Sequence, residues 1–466
     1  MARVRWRNAS FIKQYCANCT MAGFRHIANS NLYVVERLFW LICVVCSAIG
    51  SYMLISHYER NFVRSAVSIG YESLPSSHKV QFPSLAACEA HTKFKIGDNV
   101  LAYVNSLTPN GSAYSTKLEK FIQYILFPSV YMNDIFKNLC PEDCEESAEC
   151  PKCPQTGMRI MHNQIMTKCN EFFEACEFAH KRFDCCKYFL PLTTPSGNCF
   201  MLNSLLNNGR GSPTWFNNEL DPLTDIAEMK IVTKRPVEMS ILNEEDIPYG
   251  TPTKYKMLAS KQGEVQISQI FMQTTSNDPD VREIPPEYRE CRFPDELLDN
   301  TAYKAYSFST CFTDCYRMYQ QMECNCSVFT FMPEAMMNNP DCDLDGLRCL
   351  DELNLVTPNE VDLLPWTNGS YPCQCLPSCN EIDFKVVFDV NLPLNHSHPY
   401  YVLHVTMPEF ATERYRRQSL RTRLDNVVSI GGILGLFLGA SILSGIEFVY
   451  YFTFRLWNNI RMSPHV

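Results

Sequence analysis

A long apolar segment near the C-terminus holds the side chains whose types could act on ions. Residues 427–454 contain several glycines and serines and a single carboxylate, Glu447, and no charge precedes that carboxylate within the segment. Backbone carbonyl and hydroxyl oxygens can replace the hydration shell of a cation, and small residues allow the close approach that this requires. A carboxylate at membrane depth usually faces an aqueous path or a partner rather than lipid. The segment therefore predicts a pore.

The length of this segment indicates how it would cross a bilayer. A helix of 28 residues spans roughly 42 Å at about 1.5 Å per residue, whereas the hydrocarbon core is about 30 Å thick. The helix must therefore tilt or break, and its glycines favour a break. A second interpretation stays open, because Gly431, Gly435 and Gly439 also form a ladder of small residues that is typical of packed membrane helices.

A second apolar run lies near the N-terminus. Residues 38–56 are uncharged and are flanked by Glu36-Arg37 on one side and Glu59-Arg60 on the other. The 37 residues before the run are too many for an ordinary cleaved signal peptide, so the pattern predicts a retained transmembrane helix. The chain is thus expected to be a hairpin of two membrane helices around a large middle region.

Charges and cysteines predict the orientation of this hairpin. The N-terminal segment is basic, which favours the cytoplasm, although a second arginine cluster just before the C-terminal apolar segment would favour the cytoplasm too. Twenty of the 24 cysteines lie between the two helices, a density that is typical of an oxidising, extracellular compartment. The middle is therefore predicted to be extracellular. Its sequons are predicted glycosylation sites: Asn110, Asn325, Asn368 and Asn395.

These expectations predict a plasma-membrane protein whose chain has five parts. Both termini are predicted to be cytoplasmic, and the protein is predicted to cross the bilayer twice. The parts are a cytoplasmic N-terminal segment (1–36), a transmembrane helix (37–57), an extracellular disulfide-rich domain (58–425), a transmembrane pore helix (426–454) and a cytoplasmic tail (455–466).

Composition and motifs argue against several classes of function. A net charge of −9 argues against nucleic-acid binding, and an acidic outer surface could concentrate cations. The ten histidines are scattered, and no Gly-rich phosphate loop, nucleophile elbow or metalloprotease helix occurs in the sequence. We therefore predict no enzyme activity, no cofactor and no resident metal. A zinc half-site at Cys150-x-x-Cys153 is less expected than disulfides in an oxidising compartment.

The pattern of the middle region predicts a mixed α/β domain that disulfides stabilise. One block of eight cysteines ends at Cys186, a cysteine-free stretch follows Cys199, and a second block extends from Cys291 to Cys379. Apolar residues alternate around Val265 and again over 382–390, which predicts strands, the second of them half-buried. Residues 312–323 are predicted to be helical. A capping box with proline at the first helical position predicts another helix start at 357–360.

Several motifs resemble those of the degenerin/epithelial sodium channel family. They are Phe82-Pro83-Ser84-Leu85-Ala86-Ala87-Cys88, Gly197-Asn198-Cys199-Phe200, Tyr306-Ser307-Phe308-Ser309-Thr310-Cys311 with the cysteines after it, and the glycine-rich segment from Gly431 to Ser441. The match covers both helices and most of the middle region. Cys291-Arg292-Phe293-Pro294-Asp295-Glu296 and the first cysteine block are similar to the pickpocket branch found in insects.

The resemblance implies a trimeric, sodium-selective and amiloride-sensitive channel, in which sodium is the permeant ion and the trimer contains copies of this subunit or related subunits. It assigns roles along the C-terminal segment. Gly439, Ala440 and Ser441 would form the selectivity filter, Gly435 would contact amiloride, Val428 and Ser429 would lie at the degenerin gate position, and Glu447 would lie at the inner end of the pore. In the N-terminal segment Gly23 matches the glycine of a His-Gly pair that influences opening, but Ala22 stands in place of its histidine.

The resemblance also implies six disulfides. They join Cys88 to Cys199, Cys291 to Cys379, Cys311 to Cys375, Cys315 to Cys373, Cys324 to Cys349 and Cys326 to Cys342. The eight cysteines of the first block would then pair among themselves, with 105 possible connectivities.

Two other classes share the predicted topology. A two-helix ATP-gated channel has the same hairpin and a disulfide-rich exterior, but it predicts clustered lysines for phosphate binding. A scavenger-type receptor without a pore would leave Glu447 and the over-long glycine-rich helix without a purpose. Neither class explains the Gly-Ala-Ser helix, so we favour the channel with an extracellular stimulus.

Overall fold

The computed structural model of the protein describes residues 12–64, 67–90, 98–107, 113–126, 153–249, 256–334, 336, 340–356, 375–394, 399–420, 423–455 and 457. Contacts within the chain divide it into two units. The first comprises Met1–Ile69, Asp278–Arg289 and Arg417–Val466, and the second comprises Gly70–Asn277 and Glu290–Arg416. Each unit is treated by itself below.

The helices and the strands are numbered separately, each in chain order. The α-helices are α1 (12–18), α2 (Phe24–Ala28), α3 (Val34–Arg64), α4 (Asp98–Leu107), α5 (Ala113–Leu126), α6 (Met158–Ile165), α7 (Cys169–Phe172), α8 (Cys185–Tyr188), α9 (Pro286–Arg289), α10 (Phe308–Cys324), α11 (Leu344–Glu352), α12 (Arg423–Leu438) and α13 (Ile442–Tyr450). The strands are β1 (Val67–Ser73), β2 (Val80–Gln81), β3 (Ser84–Glu89), β4 (Phe173–Phe178), β5 (Lys181–Phe183), β6 (Phe189–Thr194), β7 (Gly197–Leu202), β8 (Glu219–Leu220), β9 (Glu228–Thr233), β10 (Val237–Leu242), β11 (Lys256–Ala259), β12 (Glu264–Asn277), β13 (Ile382–Pro393), β14 (Tyr401–Thr406) and β15 (Glu413–Ser419).

The first unit contains an apolar helix that is long enough to span a membrane. Helix α3 includes a candidate membrane span of 27 residues, Val34–Arg60, whose most apolar 18-residue window has a mean hydropathy of 2.3 and is only 6% buried within the chain. An apolar surface of this size that stays exposed in the chain matches a lipid environment. The predicted transmembrane helix of residues 37–57 lies inside α3.

The described strands form two larger sheets and the two-stranded pair β2-β8. One has the order β1-β15-β12-β14-β9-β4-β5, with β13 paired to β12 beside this path, and the other has the order β11-β10-β3-β7-β6. Strands β12 and β14 are parallel, while β12 and β13 are antiparallel. Aromatic rings fill the largest core cluster, as shown by Phe172 and Phe200, whose ring centroids lie 5.2 Å apart. Helices α4, α5, α6, α10 and α11 contribute to a separate apolar cluster.

Both strands that alternation predicts are present, but their burial differs from the prediction. In β12 the buried residues are Gln266, Ser268, Ile270 and Met272, so Val265 and Ile267 point to the other, half-exposed face. In β13 the prediction of a half-buried strand holds in part: Phe384 is buried and Ile382 and Val390 are partly buried, but the face is exposed between them. Val386 and Phe388 are 41% and 49% exposed. Strand β13 pairs with β12 beside the main path of the sheet, and among the described residues nothing buries the side chains of Val386 and Phe388.

The predicted helix of residues 312–323 is confirmed and begins earlier, at Phe308. Ser307 is the reason: its hydroxyl accepts a hydrogen bond from the Thr310 N–H at 3.1 Å, and the Thr310 hydroxyl accepts one from the Ser307 N–H at 2.8 Å. This capping box satisfies backbone donors that the first turn leaves unpaired. The helix ends at Asn325, an exposed residue in the left-handed conformation and one of the four predicted glycosylation sites. Residues 357–360 and the other three sequons lie outside the described residues.

Disulfides connect the strands and helices of the second unit. The described bridges include Cys88–Cys199, Cys291–Cys379, Cys311–Cys375, Cys324–Cys349 and Cys326–Cys342, which are pairs that the resemblance implies. Cys315 is also disulfide-bonded, but Cys373 lies outside the described residues. In the first cysteine block Cys169 pairs with Cys186 and Cys176 pairs with Cys185. Cys153 is disulfide-bonded, which favours the disulfide interpretation of that block over a zinc half-site.

Candidate functional site

The C-terminal apolar segment is broken where the sequence has Gly439-Ala440-Ser441. Helix α12 ends at Leu438 and α13 begins at Ile442, and the two helices are bent by 75° at this break. Gly439 has a φ of +60°, in the left-handed region that glycine adopts without a steric penalty. Its N–H still donates to the Gly435 carbonyl oxygen at 3.0 Å, as the last bond of α12. Of the two outcomes expected for an over-long helix, tilt or break, the structure has the break.

Ser441 starts the second half of the segment. Its hydroxyl accepts a hydrogen bond from the Ser444 N–H at 3.3 Å, and the Ser444 hydroxyl accepts one from the Ser441 N–H at 3.2 Å. These reciprocal bonds form a capping box, which stabilises a helix start without help from solvent. The sequence therefore encodes both edges of the break, with a glycine to end α12 and a serine pair to begin α13.

The N-terminal segment packs directly on the break. The Ala22 N–H donates to the Leu438 carbonyl oxygen at 3.0 Å, which satisfies one of the last carbonyls of α12. A Cβ atom on Gly439 would lie 3.3 Å from the Ala22 Cβ, a tight contact, and 3.5 Å from its nitrogen, so the space adds a smaller constraint to the one that φ imposes. The hydrogen bond to Leu438 comes from the backbone N–H of Ala22. It therefore does not need the histidine side chain that the resemblance would put at position 22.

Glu447 faces the same N-terminal segment. Thr20 donates to the Glu447 Oε2 atom twice, from its backbone N–H at 3.1 Å and from its hydroxyl at 2.9 Å. The Thr20 hydroxyl also lies 2.8 Å from the hydroxyl of Ser444. Thr20 thus joins the carboxylate of α13 to Ser444, the residue in the first turn of that helix that completes its capping box. The sequence analysis did not identify Thr20, because a threonine in a polar segment carries no signal of a partner 427 residues away.

Gly23 shapes the turn that brings this segment to α3. Its φ is +86°, and an added Cβ would lie 2.6 Å from the Val44 Cγ2 atom. Real Cβ atoms do not tolerate so short a contact, so glycine is needed there for close approach. After the turn, the ring of His26 stacks on Trp40 of α3 with centroids 4.5 Å apart.

Aromatic rings hold helix α1 against the end of α13. The ring of Tyr15 makes edge contacts with Phe448, Tyr451 and Phe452 at centroid distances of 5.9, 5.4 and 5.3 Å. Edge-to-face pairs of this kind add to the burial of apolar surface. The Arg455 guanidinium donates to the Tyr451 hydroxyl at 2.8 Å in the π-helical turn that follows α13.

The remaining predicted site residues, Val428, Ser429 and Gly435, lie on α12. Val428 is 65% exposed, and Ser429 one residue on is half-buried. Within the described part of the chain, a Cβ added to Gly431 would meet no atom within 4 Å, and one added to Gly435 would be in ordinary contact with the Ala440 carbonyl oxygen. The glycine ladder is therefore not a packing face against another described helix of this chain.

The first unit thus has a broken apolar segment packed against the N-terminal segment, and the second unit is rich in disulfides. A family profile described as "Amiloride-sensitive sodium channel" matches residues 15–451, and the chain belongs to this family. It is therefore a subunit of a plasma-membrane cation channel, not an enzyme, and such channels assemble as oligomers of related subunits.

Curated relatives share low identity with the chain over nearly its whole length. Pickpocket protein 19 of Drosophila melanogaster is 22% identical, with 98% of this chain and 93% of the relative covered. Sodium channel protein Nach of Drosophila melanogaster is also 22% identical, with 96% and 88% covered. Acid-sensing ion channel 2 of Homo sapiens is 21% identical, with 95% and 86% covered. These matches agree with the suggested pickpocket branch and do not favour an ATP-gated channel or a scavenger receptor.

Proposed function

We propose that the chain is one subunit of a trimeric, sodium-selective and amiloride-sensitive channel whose narrowest part is formed by Gly439, Ala440 and Ser441. The observation that carries this proposal is the break between α12 and α13 at these residues. An interrupted helix frees backbone carbonyls from intrahelical bonding, and irregular backbone at membrane depth is tolerated where it lines a water-filled path. Sodium is the permeant ion, and no cofactor takes part.

In this proposal the broken segment is the second membrane span. Residues 426–454 cross the bilayer as two half-helices, residues 37–57 form the first span, and residues 58–425 are extracellular. The N-terminal segment 1–36 and the tail 455–466 then share the cytoplasmic side. The contacts of Thr20 and Tyr15 with the end of the broken segment support this arrangement, because two segments in contact would lie on the same side of the membrane.

Glu447 and the gate positions take their roles from the same geometry. The Glu447 carboxylate adds negative charge at the inner end of the path, which attracts sodium, while Thr20 fixes its orientation. Gly435 leaves the space in which amiloride would contact α12. Val428 and Ser429 form the gate, and the exposed side chain of Val428 meets the corresponding residues of the other subunits.

Apolar surface in both units supports assembly with copies of this subunit or with related subunits. On α12 Gly431 and Gly435, four residues apart, leave one surface without side chains, so that neighbouring helices can approach closely. In the second unit Val386, Val387 and Phe388 of β13 are exposed, which is unusual for a strand with this many apolar residues. We assign both surfaces to contacts between subunits.

Expression in oocytes tests the proposed function directly. The chain is expressed alone and together with related subunits, and currents are recorded while sodium is replaced by potassium and while amiloride is added. We expect an inward sodium current that amiloride blocks. A current that requires ATP would favour the two-helix ATP-gated channel, and surface protein without current under any stimulus or partner would favour a receptor without a pore.

A further inference from the structure

Helix α12 packs against α3, and one contact between them lies next to the break. A Cβ atom added to Gly50 of α3 would lie 2.9 Å from the Cε1 atom of Phe437 and 3.4 Å from its Cδ1 atom. Real Cβ atoms do not tolerate the shorter distance, so the ring of Phe437 occupies space that a side chain at position 50 would need. Phe437 is two residues before Gly439, the glycine whose positive φ ends α12.

The local backbone gives no reason for a glycine at position 50. Gly50 lies in the interior of α3 in a helical conformation, where glycine is less stable than alanine because it loses more conformational freedom on folding. The neighbouring Ser51 is 3% exposed, although little of α3 is buried within the chain, so this face of the helix is covered. Space therefore explains the glycine. We call the gap that it leaves for the Phe437 ring the α3 notch.

The α3 notch completes a closed set of contacts at the break. The N-terminal segment approaches α3 where a Cβ on Gly23 would lie 2.6 Å from the Val44 Cγ2 atom. The same segment reaches the end of α12, since the Ala22 N–H donates to the Leu438 carbonyl oxygen at 3.0 Å. The notch then joins the end of α12 back to α3. Each of the three segments therefore contacts the other two, and none can move far without the others.

Sites that discriminate between ions depend on how firmly their ligands are held. Selectivity follows from the size of the site and from the number of oxygens that coordinate the ion. A functional site of this kind needs its groups held within about 0.5 Å by residues that are themselves locked by packing. The Phe437 ring is the apolar side chain of α12 that enters α3 closest to residues 439–441 among the described glycine contacts.

We infer that Gly50 is a positioning residue for ion selectivity. By admitting the Phe437 ring into α3, it fixes where α12 ends and therefore where residues 439–441 lie relative to the ion path. Gly50 acts through Phe437 and does not contact the ion. The inference rests on the proposed function and deepens it, because it adds a residue of the first membrane helix to those that determine which cation passes.

An exchange of size between the two positions tests the notch in the purified full-length protein. Gly50→Ala adds the Cβ that meets the ring, and Phe437→Leu removes the Cε1 atom that it meets, because leucine has no atom beyond Cδ. The double variant should have a higher unfolding temperature than the sum of the two single effects predicts. The helix propensity gained with alanine is the same in both backgrounds and cancels in this cycle. Additive effects would overturn the inference.

The sodium-to-potassium permeability ratio in oocytes tests the consequence for the break. Reversal potentials give this ratio independently of the number of channels, so a loss of folded protein alone does not change it. We expect Gly50→Ala to lower the ratio at least about threefold, and the added Phe437→Leu to restore most of it. Gly432→Ala is the control, because a Cβ there meets no described atom within 4 Å, and it should keep the wild-type ratio.

The two measurements separate a failure of this inference from a failure of the proposed function. A wild-type current without preference for sodium, or no current at all, would contradict the proposed function, and the unfolding cycle would still decide whether the notch exists. A sodium-selective wild type whose ratio Gly50→Ala leaves unchanged would overturn the inference alone. An equal change of the ratio in Gly432→Ala would overturn it too.

Discussion

Gly439 is the residue on which the geometry of the break depends most. It combines a positive φ, which disfavours every other side chain, with a tight contact to Ala22. At the sequence level Gly439 is one of several glycines in an apolar segment, so its special role was proposed only through a resemblance. The backbone conformation gives the same residue a physical reason of its own.

Replacing Gly439 by alanine should therefore disturb the break. A left-handed alanine costs roughly 1 kcal/mol relative to glycine, and its Cβ would press on Ala22. We expect a loss of most of the current at equal surface expression. Gly432→Ala is the matched control, because a Cβ there meets no described atom within 4 Å and should favour the helix slightly. Equal currents in the two variants would contradict the role assigned to Gly439.

Glu245 predicts how the stability of the second unit depends on pH. Burial, together with the nearby charge of Asp246, raises the pKa of Glu245 from 4.5 to about 7. Between these values the folded protein holds a proton that the unfolded chain has released, so the contribution of Glu245 to stability is highest below about pH 4.5 and falls as the pH rises to about 7. The total loss is about 3 kcal/mol, and no further loss follows above pH 7.

Glu245→Gln should remove this dependence. The variant cannot ionise, so the difference in unfolding free energy between wild type and variant should change between pH 5 and pH 7 and stay constant above it. Thermal unfolding of the purified protein at several pH values measures this difference, with Glu219→Gln as the exposed control. A difference that is independent of pH would mean that Glu245 is already ionised at pH 5.

At the scale of elements, the N-terminal segment and α13 behave as one packed element. Thr20 bonds Glu447, and Tyr15 contacts the rings of Phe448 and Tyr451. Hydrogen bonds to a charged group contribute about 1.5–3 kcal/mol, more than bonds between neutral groups. Movement of α13 therefore has to carry the N-terminal segment with it or break these contacts.

A double-mutant cycle measures this connection. Thr20→Val removes the hydroxyl at similar shape, and Glu447→Gln removes the charge, so each should change the free energy of opening by about 1 kcal/mol or more. The double variant should change it by less than the sum of the two single effects. Thr453→Val is the control, because that hydroxyl donates only to the Val449 carbonyl within its own turn. Additive effects of Thr20 and Glu447 would show that the two residues act independently of each other.

Sequence patterns predicted the helices and strands better than the burial of their side chains and the contacts between distant residues. The apolar run of residues 38–56, the helix at 312–323 and the strands around 265 and 382–390 were all predicted, because periodicity and hydropathy are local properties. The burial of these strands was not predicted, since the exposure of β13 depends on how the sheet is layered in three dimensions. The Thr20–Glu447 contact could not be predicted either, because no periodic pattern links residues so far apart in the chain.

For the whole molecule, the resemblance supplied information that residue patterns could not. Within the first cysteine block, counting left 105 connectivities open, and the fold selects Cys169–Cys186 and Cys176–Cys185 by bringing α7, α8 and β4 together.

Block of a Ser441→Cys variant by cadmium is the measurement that tests the central claim most directly. If residues 439–441 of several subunits surround the ion path, the introduced thiolates meet there and bind a soft metal ion. We predict that micromolar cadmium blocks the current of this variant, that a chelator restores it, and that the wild-type current, despite Cys16 and Cys19, is unaffected. A Ser441→Cys current that cadmium leaves unchanged would contradict the claim that this break lines the pore.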